Sequence, residues 1–110
     1  MESTWQERTL MRIFIGESDR HGRLPLHEVL VETLRREGVS GATVLRGIAG
    51  FGASAVFHSD KLLDISHDLP IIIEVVESRE TIDRLVPLID AMLKGGRVTM
   101  ETIMVREYPA

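Results

Sequence analysis

Two short stretches of the chain carry the residue types that hold phosphate groups. In Arg46-Gly47-Ile48-Ala49-Gly50-Phe51-Gly52-Ala53-Ser54-Ala55-Val56-Phe57-His58, three glycines fall within six positions at the end of an apolar run. Consecutive flexible residues can aim several backbone N–H groups at one point and so form an anion nest. The simpler reading is a strand that bends, since glycine weakens a strand and admits a close neighbour. The spacing Gly47-x-x-Gly50-x-Gly52 is not a dinucleotide fingerprint, because the glycines lead into a loop rather than directly into a helix. The second stretch, Lys94-Gly95-Gly96-Arg97, joins a flexible turn to two cations. It suits a phosphate, or it is a helix C-terminus with favourable basic residues. The two stretches become informative together only where folding or assembly brings them close.

Other reactive residues point to less. The histidines His21, His27, His58 and His67 have no tight metal-ligand spacing, and no metal site is expected. Ser18, Asp19 and His21 have the residue types of a hydrolase. They lie too close in one loop for a preorganised triad, and no nucleophile elbow surrounds Ser18. No catalytic residue is assigned. Met92, Met100 and Met104 read as core filler.

Composition bounds the function further. The 110 residues fit one compact domain, and 44% hydrophobic residues supply a small core that an oligomer would help to complete. A net charge of −4 with both signs mixed leaves no basic footprint for nucleic acid. No apolar stretch reaches membrane-spanning length, the polar first eight residues do not resemble a signal peptide, and there is no cysteine. These features lead to the expectation of a cytoplasmic protein without direct membrane insertion.

The elements that must position the two glycine stretches follow from periodicity. Residues 9–15 read as a strand ended by Gly16, after an N-terminal tail of residues 1–7. Pro25 suits a first helical position, and Leu26, Val29, Leu30 and Leu34 repeat with helical spacing up to a stop at Gly38. Residues 43–49 form a second strand and residues 69–76 a third, separated by a long connection over 51–69. That connection mixes Ser54, His58, Asp60, Lys61 and His67 with Phe57, Leu62, Leu63 and Ile65, the composition of an element that orders on binding. Ser78 is the expected N-cap of a second helix with Ile82, Leu85, Val86, Ile89 and Leu93 as its stripe and a kink or tightened turn at Pro87. Residues 98–106 form the last strand. The order β-α-β-β-α-β is the split βαβ, ferredoxin-like arrangement of the α+β class: a four-stranded antiparallel sheet with both helices on one face.

Alternation then divides the strands into faces. Met11, Ile13, Ile15, Ile71, Ile73 and Val75 are purely apolar and should lie under the helices. Leu10, Arg12 and Phe14, with Val44, Arg46 and Ile48 and with Ile72, Glu74 and Val76, should form the open face. With the third strand between the first and second, Glu74 would sit between Arg12 and Arg46. A face so apolar should not stay in water. The expectation is an oligomer in which sheets meet through Arg12, Phe14, Arg46, Ile72 and Glu74.

The stretches RIFIGESD, GATVLRGIAGFGAS, DLPIIIEVV and VTMETIMVREY, together spanning residues 8–108, resemble a known family. A strand ending in Gly-Phe-Gly, a long loop and a Leu-Pro strand with an internal Glu are similar to the PII signalling proteins. Over the whole chain the likeness is closer to the PII-like group called domain of unknown function 190. The resemblance implies a single PII-like domain over 8–108, a homotrimer with sheets facing inwards, and a non-enzymatic regulatory role. It also implies a small effector between subunits, an adenine nucleotide such as ATP, ADP or AMP. By position, Gly50, Phe51, Gly52 and Ala53 would form one wall, with Gly95, Gly96 and Arg97 from the turn and Arg106 near phosphate. A membrane transporter is the implied regulated partner.

The chain also departs from nitrogen-regulatory PII proteins. Ala53, Ser54 and Ala55 replace polar residues after Gly-Phe-Gly, the turn after the second helix lacks a Gly-Asp-Gly-Lys core, and Ile71–Ile73 stand where PII proteins offer a lysine. No tyrosine occurs in 51–69, so uridylylation of the loop is excluded. Two other classes share the residue types: a trimeric metal-binding protein like the copper-tolerance CutA family, and a small enzyme clamping a phosphorylated metabolite with Lys94 and Arg97.

Overall fold

A computed structural model describes residues 4–51, 58–59 and 68–110. The chain folds as β1 (Trp5–Gly16), α1 (Leu26–Arg36), β2 (Thr43–Arg46), β3 (Pro70–Glu77), α2 (Arg79–Met92) and β4 (Arg97–Arg106). The four strands form one antiparallel sheet in the order β2-β3-β1-β4. This is the ferredoxin-like α+β arrangement, with the third strand between the first and second. Two short ladders accompany it, Arg20–His21 with Leu24–Pro25 and Ala49–Gly50 with His58–Ser59.

The core forms where the two helices cover one face of the sheet. Met11, Ile13 and Ile15 of β1 and Ile71, Ile73 and Val75 of β3 alternate onto that face and are buried. Leu26, Leu30 and Leu34 of α1 and Ile82, Leu85 and Ile89 of α2 meet them in one cluster. Each such side chain removed from water contributes about 1.5–3 kcal/mol, which offsets the backbone entropy of ordering the elements. The β-branched isoleucines suit the pleat, and the leucines suit the helix.

Local signals set the helix ends. Ser78 caps α2, its side chain accepting a hydrogen bond from the Thr81 N–H. At the end of α1, Gly38 N–H donates to Arg35 O at 3.2 Å and Val39 N–H to Leu34 O at 3.2 Å, the paired bonds of a Schellman motif. Val39 then packs against the core.

Four elements differ from the periodicity reading. Strand β1 begins at Trp5 rather than Thr9, because the segment from Trp5 to Arg8 pairs with residues 103–106 of β4 beyond the end of β3. Pro25 stands one position before the helix as its N-cap and pairs with Arg20. Helix α2 runs through Pro87 as one element to Met92, lacking a single N–H donor. Strand β2 ends at Arg46, since the chain leaves the sheet at Gly47.

The strand faces need one correction. Register pairs Leu10 with Val76, Arg12 with Glu74 and Phe14 with Ile72, the open face as expected. On β2, however, Thr43 lies opposite Glu74 and Leu45 opposite Ile72, while Val44 and Arg46 lie opposite Ile73 and Ile71. Arg46 therefore stands on the helix side of the sheet and does not flank Glu74. A shift of one residue inverts every side chain of a strand, and all four residues of β2 are exposed, so neither phase was selected by burial. Met100 and Met104 are not core residues either: both lie on the helix side of β4, an edge strand, and are 44% and 57% exposed.

Candidate functional site

The two glycine stretches meet one end of the sheet, where β1 and β2 finish and β3 and β4 start. Gly47 N–H donates to Pro70 O at 2.7 Å, so this amide is already satisfied and the chain is pinned as it turns away from β3. At Gly50 the backbone has φ +155°, and a Cβ there would stand 2.9 Å from Pro70 Cγ. Only glycine lets the bend lie against the proline ring. The bend reading of the first stretch thus has a physical cause, and it leaves Ile48 and Phe51 exposed beside it. Gly52 and Ala53 lie outside the described residues.

The second stretch is held to the end of β1. Gly96 has φ +86°, and a Cβ would come within 2.3 Å of Phe14 O. Arg97 is the first residue of β4, opposite Phe14, and its guanidinium carbon lies 6.0 Å from the Phe14 ring centroid. That stacking holds the cation on the open face at the turn. Arg106 is at the other end of β4, opposite Trp5, and stacks at 5.7 Å on Tyr108. Nine residues of extended strand separate it from Arg97, about 30 Å. Within one chain, then, Arg106 does not join the turn residues.

Strands β2 and β4 are the two edges of the sheet, three strand spacings apart, or about 14 Å. Gly50 and Gly96 consequently share an end but stand on opposite edges, and one chain does not bring their turns face to face.

Sequence reasoning overlooked Glu17, which directly follows Gly16 at the end of β1. Its N–H donates to Leu69 O at 2.8 Å, and its Oε2 lies 3.0 Å from Arg46 Nε. Among the described residues, its buried Oε1 has no hydrogen-bond partner. The available signal was the position of an acid just past a strand end, at the sheet end that also carries the bend. Nearby, Asp19 Oδ2 accepts the Gly16 N–H at 2.9 Å and Asp68 Oδ1 accepts the Ser18 N–H at 3.0 Å. Asp19 and Ser18 are thereby turn-forming residues. Among the described residues, no group of three His, Cys, Asp or Glu side chains could hold a metal ion. No described helix is long and apolar enough to cross a membrane.

Residues 8–105 match the family model DUF190, described as Uncharacterized ACR, COG1993. The chain belongs to this family. A UPF0166 protein of Aquifex aeolicus is 35% identical over 101 residues, 92% of this chain and 99% of that protein. Among solved structures, CPII, a nitrogen regulatory PII-like protein from Thiomonas intermedia bound to ADP, AMP and bicarbonate, superposes with a TM-score of 0.67. The match has 20% identity and covers 94% of this chain and 92% of that one. A putative PII-like signaling protein, TTHA0516 of Thermus thermophilus, gives a TM-score of 0.65 at 19% identity, covering 92% and 90%. This DUF190 chain therefore has the PII-like fold that the sequence resemblance implied.

Proposed function

We propose that this protein is a non-enzymatic PII-like regulator that binds an adenine nucleotide in clefts between the subunits of a trimer. The observation that carries the reading is the position of Gly50 and Gly96, at one end of the sheet but on opposite edges. Strands β2 and β4 run antiparallel in the sheet order, so the end of β2 and the start of β4 lie at the same level. When copies are arranged in a ring, edge beside edge, the bend of one subunit meets the turn of the next. Gly50, Phe51, Gly52 and Ala53 would then face Gly95, Gly96 and Arg97, with Arg106 entering only through a further approach between subunits. Exposed Val44 on one edge and Val98 and Met100 on the other give both edges apolar residues on the same side of the sheet.

The open face supports the same assembly. Arg12, Phe14, Ile72 and Glu74 combine apolar area with an already paired charge, so a second sheet could cover them without stranding an ion. Nucleotide binding by a structural neighbour of the same fold, CPII with ADP and AMP, supports an adenine nucleotide as the effector. The effector would act by shifting a pre-existing equilibrium; the connection expected to order on binding lies mostly outside the described residues. A cytoplasmic protein of this design would dock on a partner such as a membrane transporter.

The test is calorimetric titration with ATP, ADP and AMP beside sizing by light scattering. A trimer that binds one of them, and gains about 2.7 kcal/mol of apparent stability at a hundred times the dissociation constant, supports the reading. A clean monomer removes the cleft. A trimer stabilised by copper or zinc but by no nucleotide returns the assignment to the metal-binding class.

A further inference from the structure

We propose that Arg46 is the effector-binding cation on the bend side of the cleft, and that Glu17 positions it there. The inference rests on the nucleotide-binding reading above and names a residue which that reading does not use. Arg46 directly precedes the bend, and the amide after it is fixed to Pro70 O, so its Cα cannot drift from the glycines. The Glu17 N–H is fixed to Leu69 O, the carbonyl just before Pro70. Glu17 and Arg46 thus approach each other across the start of β3 from two pinned backbones.

Arg46 Nε lies 3.0 Å from Glu17 Oε2, and the Arg46 side chain remains 56% exposed. An ion pair of this kind is weak and leaves the guanidinium able to take a second acceptor. A phosphate offers it two parallel charge-assisted hydrogen bonds. Glu17 is the more enclosed partner at 29% exposure, and its other oxygen is buried without a donor among the described residues. Among the described residues, Arg46 is the one charge partner of this half-buried acid, and Glu17 keeps the arginine in one orientation while repelling an approaching anion. Phosphate binding at the bend then requires the arginine to outweigh the acid. Arg97 would meet the same ligand from the neighbouring turn.

The discriminating experiment titrates ADP and inorganic pyrophosphate into the wild type, Glu17→Gln, Arg46→Lys and the double variant Glu17→Gln/Arg46→Gln. The double variant leaves no carboxylate without its cation, so it should fold as the wild type does, which thermal melting checks. Expected are a tighter dissociation constant for Glu17→Gln and a loss of about tenfold, or 1.4 kcal/mol, for the double variant. Arg46→Lys should fall between, because an ammonium cannot make the fork. A double variant that folds and binds ADP as well as wild type overturns the role of Arg46 and leaves the nucleotide reading standing. A wild type that binds neither ADP nor pyrophosphate overturns both.

Discussion

Arg12 of β1 donates its Nε–H to Glu74 Oε2 of β3 at 2.8 Å, across the middle of the open face. Its Nη1 also reaches Glu101 Oε2 of β4 at 3.2 Å, so one guanidinium serves carboxylates on both neighbouring strands. The bond to Glu74 is the main cause holding the Arg12 guanidinium above its usual pKa. Removing the arginine strands two acids, whereas removing Glu74 leaves Arg12 its second partner. Arg12→Leu should lower the thermal midpoint, and the fraction assembled in light scattering, more than Glu74→Leu does. Equal effects would mean that Glu101 takes no part.

Gly95 and Gly96 are adjacent but should respond differently to substitution. Gly96→Ala must place a Cβ at φ +86° and 2.3 Å from a backbone carbonyl. The left-handed conformation alone costs about 1–2 kcal/mol, and displacement of the Phe14 peptide adds to it. Gly95→Ala meets nothing within 4 Å and should stay within about 0.5 kcal/mol of wild type. Urea denaturation of the pair reads the difference directly.

Two apolar truncations separate the core from the exposed strand end. Leu85→Ala empties a fully buried position beneath the sheet and should cost about 2–5 kcal/mol. Met104→Ala removes a side chain that is more than half exposed in one chain. It should leave the unfolding free energy of the monomer unchanged. A marked loss of assembly in this variant would place the extended β1–β4 ladder at a subunit contact.

Glu32 on α1 accepts from Arg35 and Arg36, and the hydrogen bond from Arg35 is the main cause holding its carboxyl below the usual carboxylate value. A carboxylate with a depressed pKa in the folded state adds stability above its unfolded-state pKa. That contribution is lost as pH falls through the folded value. Glu32→Gln should therefore be less stable than wild type near neutrality, and the gap should close on acidification below the ordinary carboxylate range. Parallel thermal melts over a pH series give the comparison, and a gap independent of pH would assign the loss to something other than charge.

The sequence alone determined the architecture through patterns with one physical solution. Met11, Ile13 and Ile15 alternate with Arg12 and Phe14, so the purely apolar face of β1 is the one that enters the core. Helical spacing in α1 and α2, the Ser78 cap and the glycine after α1 fixed where the covering layer begins and ends. The four stretches spread over residues 8–108 together sufficed to identify the family.

Tertiary structure decided what those patterns left degenerate. In β2, Thr43, Val44, Leu45 and Arg46 offer an apolar residue to either face, and as an edge strand no burial chooses between them. Its phase is set by distant backbone bonds, with Gly47 N–H on Pro70 O and Arg46 opposite Ile71, which turned Arg46 from Glu74 to Glu17. The methionines of β4 look like core in one dimension, and only the sheet order, which puts β4 at an edge, leaves them exposed. Periodicity reports which residues share a side. The identity of the neighbour on that side depends on register, and register is a property of the folded sheet.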